Sequence, residues 1–495
     1  MAADDFKLIT ETVGPGAAIA LLIGTALGMS IFLVPTQMAA EAGPSITIAI
    51  LVSIVPMALG VLQLLQLGGA IPVAGGAYVY GSRLVGPYWG FLNIMLPVVA
   101  VWAYLLFAAL GFAQYLPYLL ELLGLGIGVN TVLAVWAILG LFLVLNYVGI
   151  RVAARAQIAL VAILIAGMAT FIVGGFAAFD VGNFDPMFPD GAGQPFEEGL
   201  TPFFLAIVLL YIPYQGFAMI IEIGEELEDP ATNIPRVLAV GMSFVALLSV
   251  AIVLALIGGA SWEAAVGADG EAVDGALAAV GAEFGTLPTA GLVLIAVAAL
   301  VAAATTVNTL YTSYSRTVMR ASRDKLLPGF FAGIHERFDT PHRAVIFMGV
   351  PPLAVAPFIG PLDDLTGPAF LDWLVVVVVT GTFLSFMISA IALWNLPTVF
   401  PQRYEYSIYK LPMPVLKGVA IGNVVVSFVF MLLVAASAPT ALVFVVAFLT
   451  VTSMGYFYRV RSSKGDGSDL REDMTLLHDH EGGDADLLEG DGDDD

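Results

Sequence analysis

Long apolar runs recur along this 495-residue chain, each near the roughly 20 residues that a bilayer-crossing helix needs. They predict an all-α membrane protein with spans at 14–40, 45–68, 86–118, 130–150, 157–179, 200–225, 236–259, 287–315, 344–360, 370–396, 414–436 and 440–458, twelve in all. Two of these runs are interrupted halfway. The first interruption reads Gly24-Thr25-Ala26-Leu27-Gly28-Met29-Ser30-Ile31-Phe32, and the second Tyr211-Ile212-Pro213-Tyr214-Gln215-Gly216-Phe217. In hydrocarbon every backbone N–H and C=O must find a partner, so a helix opened at bilayer depth is tolerated only where it faces protein or a polar cavity. A matched pair of openings in the two halves of a chain points to a solute site.

If spans 1–5 and 6–10 are two repeats, at about 14–179 and 200–396, each begins with an interrupted helix. An odd number of spans per repeat turns the second upside down relative to the first, which predicts a 5+5 inverted repeat with two further helices at 414–458. Residues 1–13 then form a short N-terminal segment and 459–495 a polar, Gly- and Asp-rich tail expected to be disordered.

With 59% hydrophobic and 12% charged residues, the composition lies far outside that of soluble domains. The twelve-span arrangement puts all 18 Lys and Arg on one side, which the positive-inside rule makes the cytoplasm, with both termini there and the chain in the cell membrane. The first run follows Asp4, Asp5 and Glu11 and lacks a basic leader and a cleavage site, so it is expected to stay as a span. The net charge of −22 is partly local, since residues 466–495 hold 13 of the 40 acids and one of the 18 bases. The remaining acidic loops suit a halophile's salt-rich surroundings, where self-repulsion is screened, although an ordinary acidic loop set gives the same count. No cysteine is present, which removes disulfides, thiolate metal sites and thiol nucleophiles. The four His lie in loops or tail, no Asp lies deep in a span and no Walker-type glycine loop occurs, so intramembrane enzymes and ATP-driven pumps find no support. Nor does any ring of filter residues suggest a channel, and nothing suggests nucleic-acid binding.

Glycines at 24 and 28 lower the cost of leaving helical geometry, although the same spacing serves close helix packing. Amides freed at Gly28, Met29 and Ser30 can hold an anion such as a carboxylate. Pro213 removes a donor and frees carbonyls near Leu209 and Leu210, although a simple proline kink fits it too. Freed N–H groups at one break and freed carbonyls at the other suit a zwitterion, and an amino acid is the natural first candidate.

Several blocks resemble the amino acid/polyamine/organocation (APC) permeases, which share the LeuT-type fold of ten core helices plus two. They are Gly28-Met29-Ser30-Ile31-Phe32 with Pro35, Pro72 through Tyr80 with Gly86-Pro87, and Asn146 through Arg151. Tyr214-Gln215-Gly216-Phe217 with Glu225-Glu226 and Asp229-Pro230, then Arg323 through Pro328 and Thr340 through Ala344, complete the series in order. The resemblance covers about residues 10–458 and implies alternating access, with a carboxylate on the amides of Gly28, Met29 and Ser30 and an ammonium on the carbonyls of Ala26, Ile212 and Gln215. The chain departs from the pattern at Met29 and Ser30, at Ala218, where many members have an acid, and at Ile212, where some have an aromatic gate. Tyr211, Tyr214 and Phe217 are the candidates to replace that gate, and each also fits core packing.

For coupling, Glu222 is the ionisable residue nearest a break, placed either as a desolvated proton carrier or at the water interface with Glu225 and Glu226. Thr305 and Thr306 offer hydroxyl oxygens for a sodium ion, or simply bond back to their own helix. No other cofactor and no firm metal site is expected. No acid lies clearly at mid-span, which favours a neutral amino acid over a cationic one, with transport by symport or exchange. A sensor that kept the fold without transport, or a carrier of another small solute such as an amine, would read the same way. Oligomeric state is not legible in the sequence.

Overall fold

Polar backbone groups in a chain this apolar have to pair along their own segments, and helices do so. The computed structural model describes residues 13–73, 75–189, 202–223, 227–266, 276–366 and 370–463. The first twelve residues, Glu225 and Glu226, and the tail from 464 onward lie outside them.

In chain order the helices are α1 (Pro15–Ala26), α2 (Met29–Ala42), α3 (Ile46–Ala70), α4 (Gly76–Leu84), α5 (Pro87–Leu122) and α6 (Thr131–Val148). Then come α7 (Ile150–Ala177), α8 (Pro202–Leu209), α9 (Met219–Glu222), α10 (Pro230–Gly259), α11 (Ala276–Glu283) and α12 (Thr289–Arg323). The last are α13 (His342–Val355), α14 (Ile359–Thr366), α15 (Phe370–Val399), α16 (Pro401–Glu405), α17 (Met413–Ser437) and α18 (Pro439–Ser463). Among the described residues there is no strand, only an isolated parallel bridge between Val13 and Leu227.

Eleven described segments are long and apolar enough to cross a membrane, against the twelve spans expected. The difference lies at the start, where Pro15–Ala70 counts as one segment of 56 residues. A straight helix of that length would reach about 84 Å, against a hydrocarbon core of about 30 Å. The segment turns instead at Gly43–Ser45, where Gly43 takes φ 60° and a Cβ would run into Pro189.

Several boundaries differ from the hydropathy pattern, and three places bear on the fold. Helix α12 continues to Arg323 rather than ending at 315, because Arg316 is buried and its guanidinium donates to the Thr312 carbonyl. Helix α18 runs to Ser463, beyond the expected end at 458, with Arg461 in its last turn, where a cation complements the helix dipole. The Gly75–Val85 region, outside the expected spans, contains α4, started by Gly75 in the left-handed region at φ 74°.

Burial separates centre from periphery. The most apolar stretch of Pro87–Leu122 is 94% buried and that of Pro202–Glu222 83%, against 11% for Pro439–Arg461. Helix α5 and the second interrupted segment are thus central, and α18 is peripheral. Helix α12 packs against α7, α5, α1, α13 and α6 and forms the spine between them.

Polar side chains fasten this framework. The Asn93 amide on α5 donates to the Ala77 carbonyl at 2.6 Å and to Ser389 Oγ at 3.2 Å, while Ser385 Oγ donates to Asn93 Oδ1 at 2.5 Å. Asn308 on α12 donates to Gln157 Oε1 at 2.9 Å and accepts from Asn146 Nδ2 at 3.0 Å, tying α12 to α7 and α6. At the end of α12, Asp324 pairs with Arg83 of α4 at 2.7 Å and accepts from the Tyr78 hydroxyl at 2.7 Å. Burial and then the Asp324 charge push the Tyr78 phenol above its ordinary range. Burial alone would lower the Arg83 guanidinium, but the Asp324 carboxylate beside it holds it above its usual value.

Candidate functional site

The first break lies between α1 and α2. Leu27 (φ −86°, ψ 20°) ends α1, and Gly28 (φ −63°, ψ −149°) leaves helical geometry before α2 restarts at Met29. Glycine is required at 28 because a Cβ would collide with Thr306 Oγ1 and crowd the carbonyls of Gly24 and Thr25. Of the amides expected to face a carboxylate, Gly28 N–H donates to the Thr25 carbonyl at 3.3 Å and Met29 N–H to Thr306 Oγ1 at 3.1 Å. Ser30 is buried, and its Oγ accepts from the Tyr104 hydroxyl at 3.3 Å.

The second break follows α8. Pro213 has no N–H to offer the carbonyl of Leu209, so the α-helix stops there and Ile212–Ala218 winds as a tighter 3-10 helix before the single turn of α9. Gly216 sits directly against the first break: a Cβ on it would overlap the backbone nitrogen and Cα of Ala26. Ala26 and Gly216 are therefore where the two interruptions meet. The residues proposed to replace an aromatic gate are buried in packing. Phe217 stacks on Phe386 with centroids 5.6 Å apart, Tyr211 stacks on Phe383 at 5.2 Å, and Tyr214 is wholly buried.

A cavity of about 50 Å³ starts at the breaks, where Thr25, Gln215 and Gly216 line it, and passes Tyr104 and Ser385 to Glu222. Of the residues singled out in the sequence, Gln215, Gly216, Ala218 and Glu222 line this space. Ala26, Gly28, Met29, Ser30, Ile212, Tyr214 and Phe217 are buried behind its wall. Sequence reasoning missed the wall formed by α15. Thr382, Ser385 and Ser389 recur three and four residues apart there, a one-face helical spacing that could have been noticed within an otherwise apolar run.

Thr305 and Thr306 are fully buried on α12 against the first break. Thr305 Oγ1 lies 2.7 Å from the Gly24 carbonyl and 2.8 Å from that of Ala302, while Thr306 Oγ1 donates to Ala302 O at 3.0 Å and receives the Met29 amide. Bonding back along the helix and contact with the break therefore both occur. Four oxygens, two carbonyl and two hydroxyl, gather there, and hard cations favour such donors.

Glu222 is 1% exposed, so its reading as a water-interface residue is corrected. Its Oε1 accepts from Ala77 N–H at 3.2 Å and its Oε2 from the Thr317 hydroxyl at 2.5 Å, and its carbonyl accepts from Gly75 N–H at 3.3 Å. Among the described residues no basic side chain pairs with it. No group of three or more His, Cys, Asp or Glu among the described residues could hold a metal.

Comparison with known proteins agrees with this architecture. A family model described as amino acid permease matches residues 14–465. A branched-chain amino acid permease of Bacillus subtilis is 24% identical over 84% of this chain and 87% of its own length. Among solved structures, a nucleobase-cation-symport-1 family transporter in a closed conformation matches with a TM-score of 0.55 at 16% identity, over 87% of this chain and 94% of that one. A Na+-coupled sialic acid symporter in an outward-open state matches with a TM-score of 0.53 at 14% identity, over 86% and 90%. Both have the LeuT-type fold, and at these identities the likeness speaks for fold alone.

Proposed function

Since this chain belongs to the amino acid permease family, we propose that it is a secondary transporter of a neutral amino acid in the cell membrane, working by alternating access. The observation that carries this reading is the meeting of two interrupted helices at Ala26 and Gly216, beside a small cavity. In this reading the solute's carboxylate binds at the amides of Gly28, Met29 and Ser30, and its ammonium at the carbonyls of Ala26, Ile212 and Gln215, of which only Gln215 lines the cavity in this structure; the others are reached when the alternating-access movement opens the wall. Because the Met29 amide is already held by Thr306, binding exchanges a hydroxyl acceptor for a charged one, and charge-assisted bonds are roughly twice as strong. The arginine-bearing end faces the cytoplasm, by the one-sided distribution of basic residues.

The coupling ion in this reading is sodium, bound by Thr305, Thr306 and the carbonyls of Gly24 and Ala302, since these four oxygens converge beside the first break. A second reading, proton coupling at Glu222, is favoured by the burial of that carboxyl with no described cation beside it. The deciding experiment is uptake of labelled neutral amino acids into vesicles holding the purified full chain, under a sodium gradient, a proton gradient, or neither with internal amino acid. Accumulation that follows sodium supports the first reading and accumulation that follows the proton gradient the second. Uptake that needs only internal amino acid identifies an exchanger. Binding without any flux identifies a sensor, and uptake of amines alone overturns the amino acid assignment.

A further inference from the structure

The Gln215 side chain is 7% exposed and lines the cavity beside the breaks, and its amide nitrogen has no hydrogen-bond partner. A buried donor left unpaired costs about 1–3 kcal/mol, so an unfilled amide in a solute cavity marks where an acceptor is meant to arrive. Three of the hydroxyls that line the same cavity have spent their protons on the protein. Thr25 donates to the Leu21 carbonyl at 3.0 Å, Ser385 to Asn93 Oδ1 at 2.5 Å and Thr382 to the Val378 carbonyl at 2.8 Å. These three oxygens offer lone pairs to the cavity, and Gln215 offers N–H groups. A hydrocarbon side chain would satisfy neither, whereas a hydroxyl or carboxamide satisfies both.

We propose that Gln215 is a specificity-determining residue and that the transported amino acid carries a polar uncharged side chain, a hydroxyl or a carboxamide, rather than a branched hydrocarbon. This rests on the permease reading above and narrows it. Glycine at 216 presses the backbone onto Ala26 and thereby fixes where the neighbouring Gln215 side chain leaves the break. A site built around hydrogen bonds rejects the apolar analogue far more strongly than an apolar pocket rejects an added hydroxyl.

The test measures binding of matched pairs to the purified full chain by titration calorimetry: threonine against valine, asparagine against leucine and glutamine against methionine. We expect the better polar ligands to bind at least about tenfold more tightly than their apolar partners. Gln215→Met should bring that ratio close to one while valine or methionine still binds. Preference of the unaltered protein for valine or leucine overturns the proposal without touching the permease assignment, and so does a polar preference that Gln215→Met leaves unchanged. If the variant fails to fold, the ratio in the unaltered protein decides. Failure of every neutral amino acid to bind overturns both this inference and the reading beneath it.

Discussion

The Met29 amide donates to the Thr306 hydroxyl at 3.1 Å, across 277 residues of chain. The one proton of that hydroxyl goes to the Ala302 carbonyl, so Thr306 props the first break while anchored to its own helix. Thr306→Val removes the acceptor, keeps the shape, and should cost about 1–3 kcal/mol by leaving a buried amide unpaired. Thermal unfolding with sodium or potassium chloride checks this. The unaltered protein should unfold at a higher temperature in sodium, and the variant should lose that difference. A variant still stabilised by sodium would remove Thr306 from the ion site.

Substitution at the junction of the breaks should be severe. Gly28→Leu drives a side chain into Thr306 and the carbonyls behind it, and Gly216→Val does the same to the Ala26 backbone, which cannot move aside. Overpacking typically costs about 1–3 kcal/mol, and here it also displaces the groups assigned to the solute. Ligand-induced stabilisation should disappear in both variants, whereas Gly140→Ala, where a Cβ meets nothing within 4 Å, should keep it. Unchanged binding by Gly28→Leu would falsify the site.

Glu222→Gln preserves two hydrogen bonds, with the oxygen accepting from Ala77 and the new amide donating to Thr317, and removes the charge. The phenols of Tyr80 and Tyr314 feel this carboxylate. Sodium-driven uptake near neutral pH should survive within about threefold, a change worth less than 1 kcal/mol. Any component driven by a proton gradient should vanish. Loss of sodium-driven uptake in a correctly folded variant would transfer coupling to Glu222.

The pair between Arg83 and Asp324 is nearly excluded from water, with side chains 4% and 1% exposed. Truncating Arg83 leaves Asp324 with the Tyr78 hydroxyl and the longer contact to Arg320 at 3.8 Å, so Arg83→Met should destabilise the protein by less than the roughly 3–5 kcal/mol that a wholly unpaired buried charge costs. Both Arg83 and Tyr78 have pKa values raised above ordinary, so their contribution is complete below the unfolded-state values and lost as pH rises through the folded ones. Unfolding temperature should therefore be insensitive to these two groups near neutral pH and fall in strong alkali, above about pH 10, where an unfolded tyrosine ionises. Tyr78→Phe should flatten part of that fall.

The breaks could be read from the sequence because glycine and proline act locally: Gly28 and Pro213 alter the backbone where they stand, whatever packs nearby. The helical class was equally plain, since apolar length is a property of the segment itself. The setting of Glu222 was not legible. Its neighbours Ala77 and Thr317 come from α4 and α12, and nothing in the surrounding sequence distinguishes a carboxyl entering water from one enclosed by two other elements. Helix α4 was hidden for a related reason, as its Tyr78 and Arg83 are held by Asp324 from far along the chain. The polar face of α15 is harder to see because Thr382, Ser385 and Ser389, though spaced to share one face, are diluted by valine and phenylalanine, and the cavity shows what that face meets.

The contact of Gly216 with the Ala26 backbone means that the second interrupted segment cannot acquire bulk at this point. Across homologues position 216 should stay glycine whatever residue occupies 26, because the atoms that a Cβ would strike belong to the backbone and no exchange at 26 removes them. Directed evolution for new solutes should accordingly recover mutations around this junction far more often than in it.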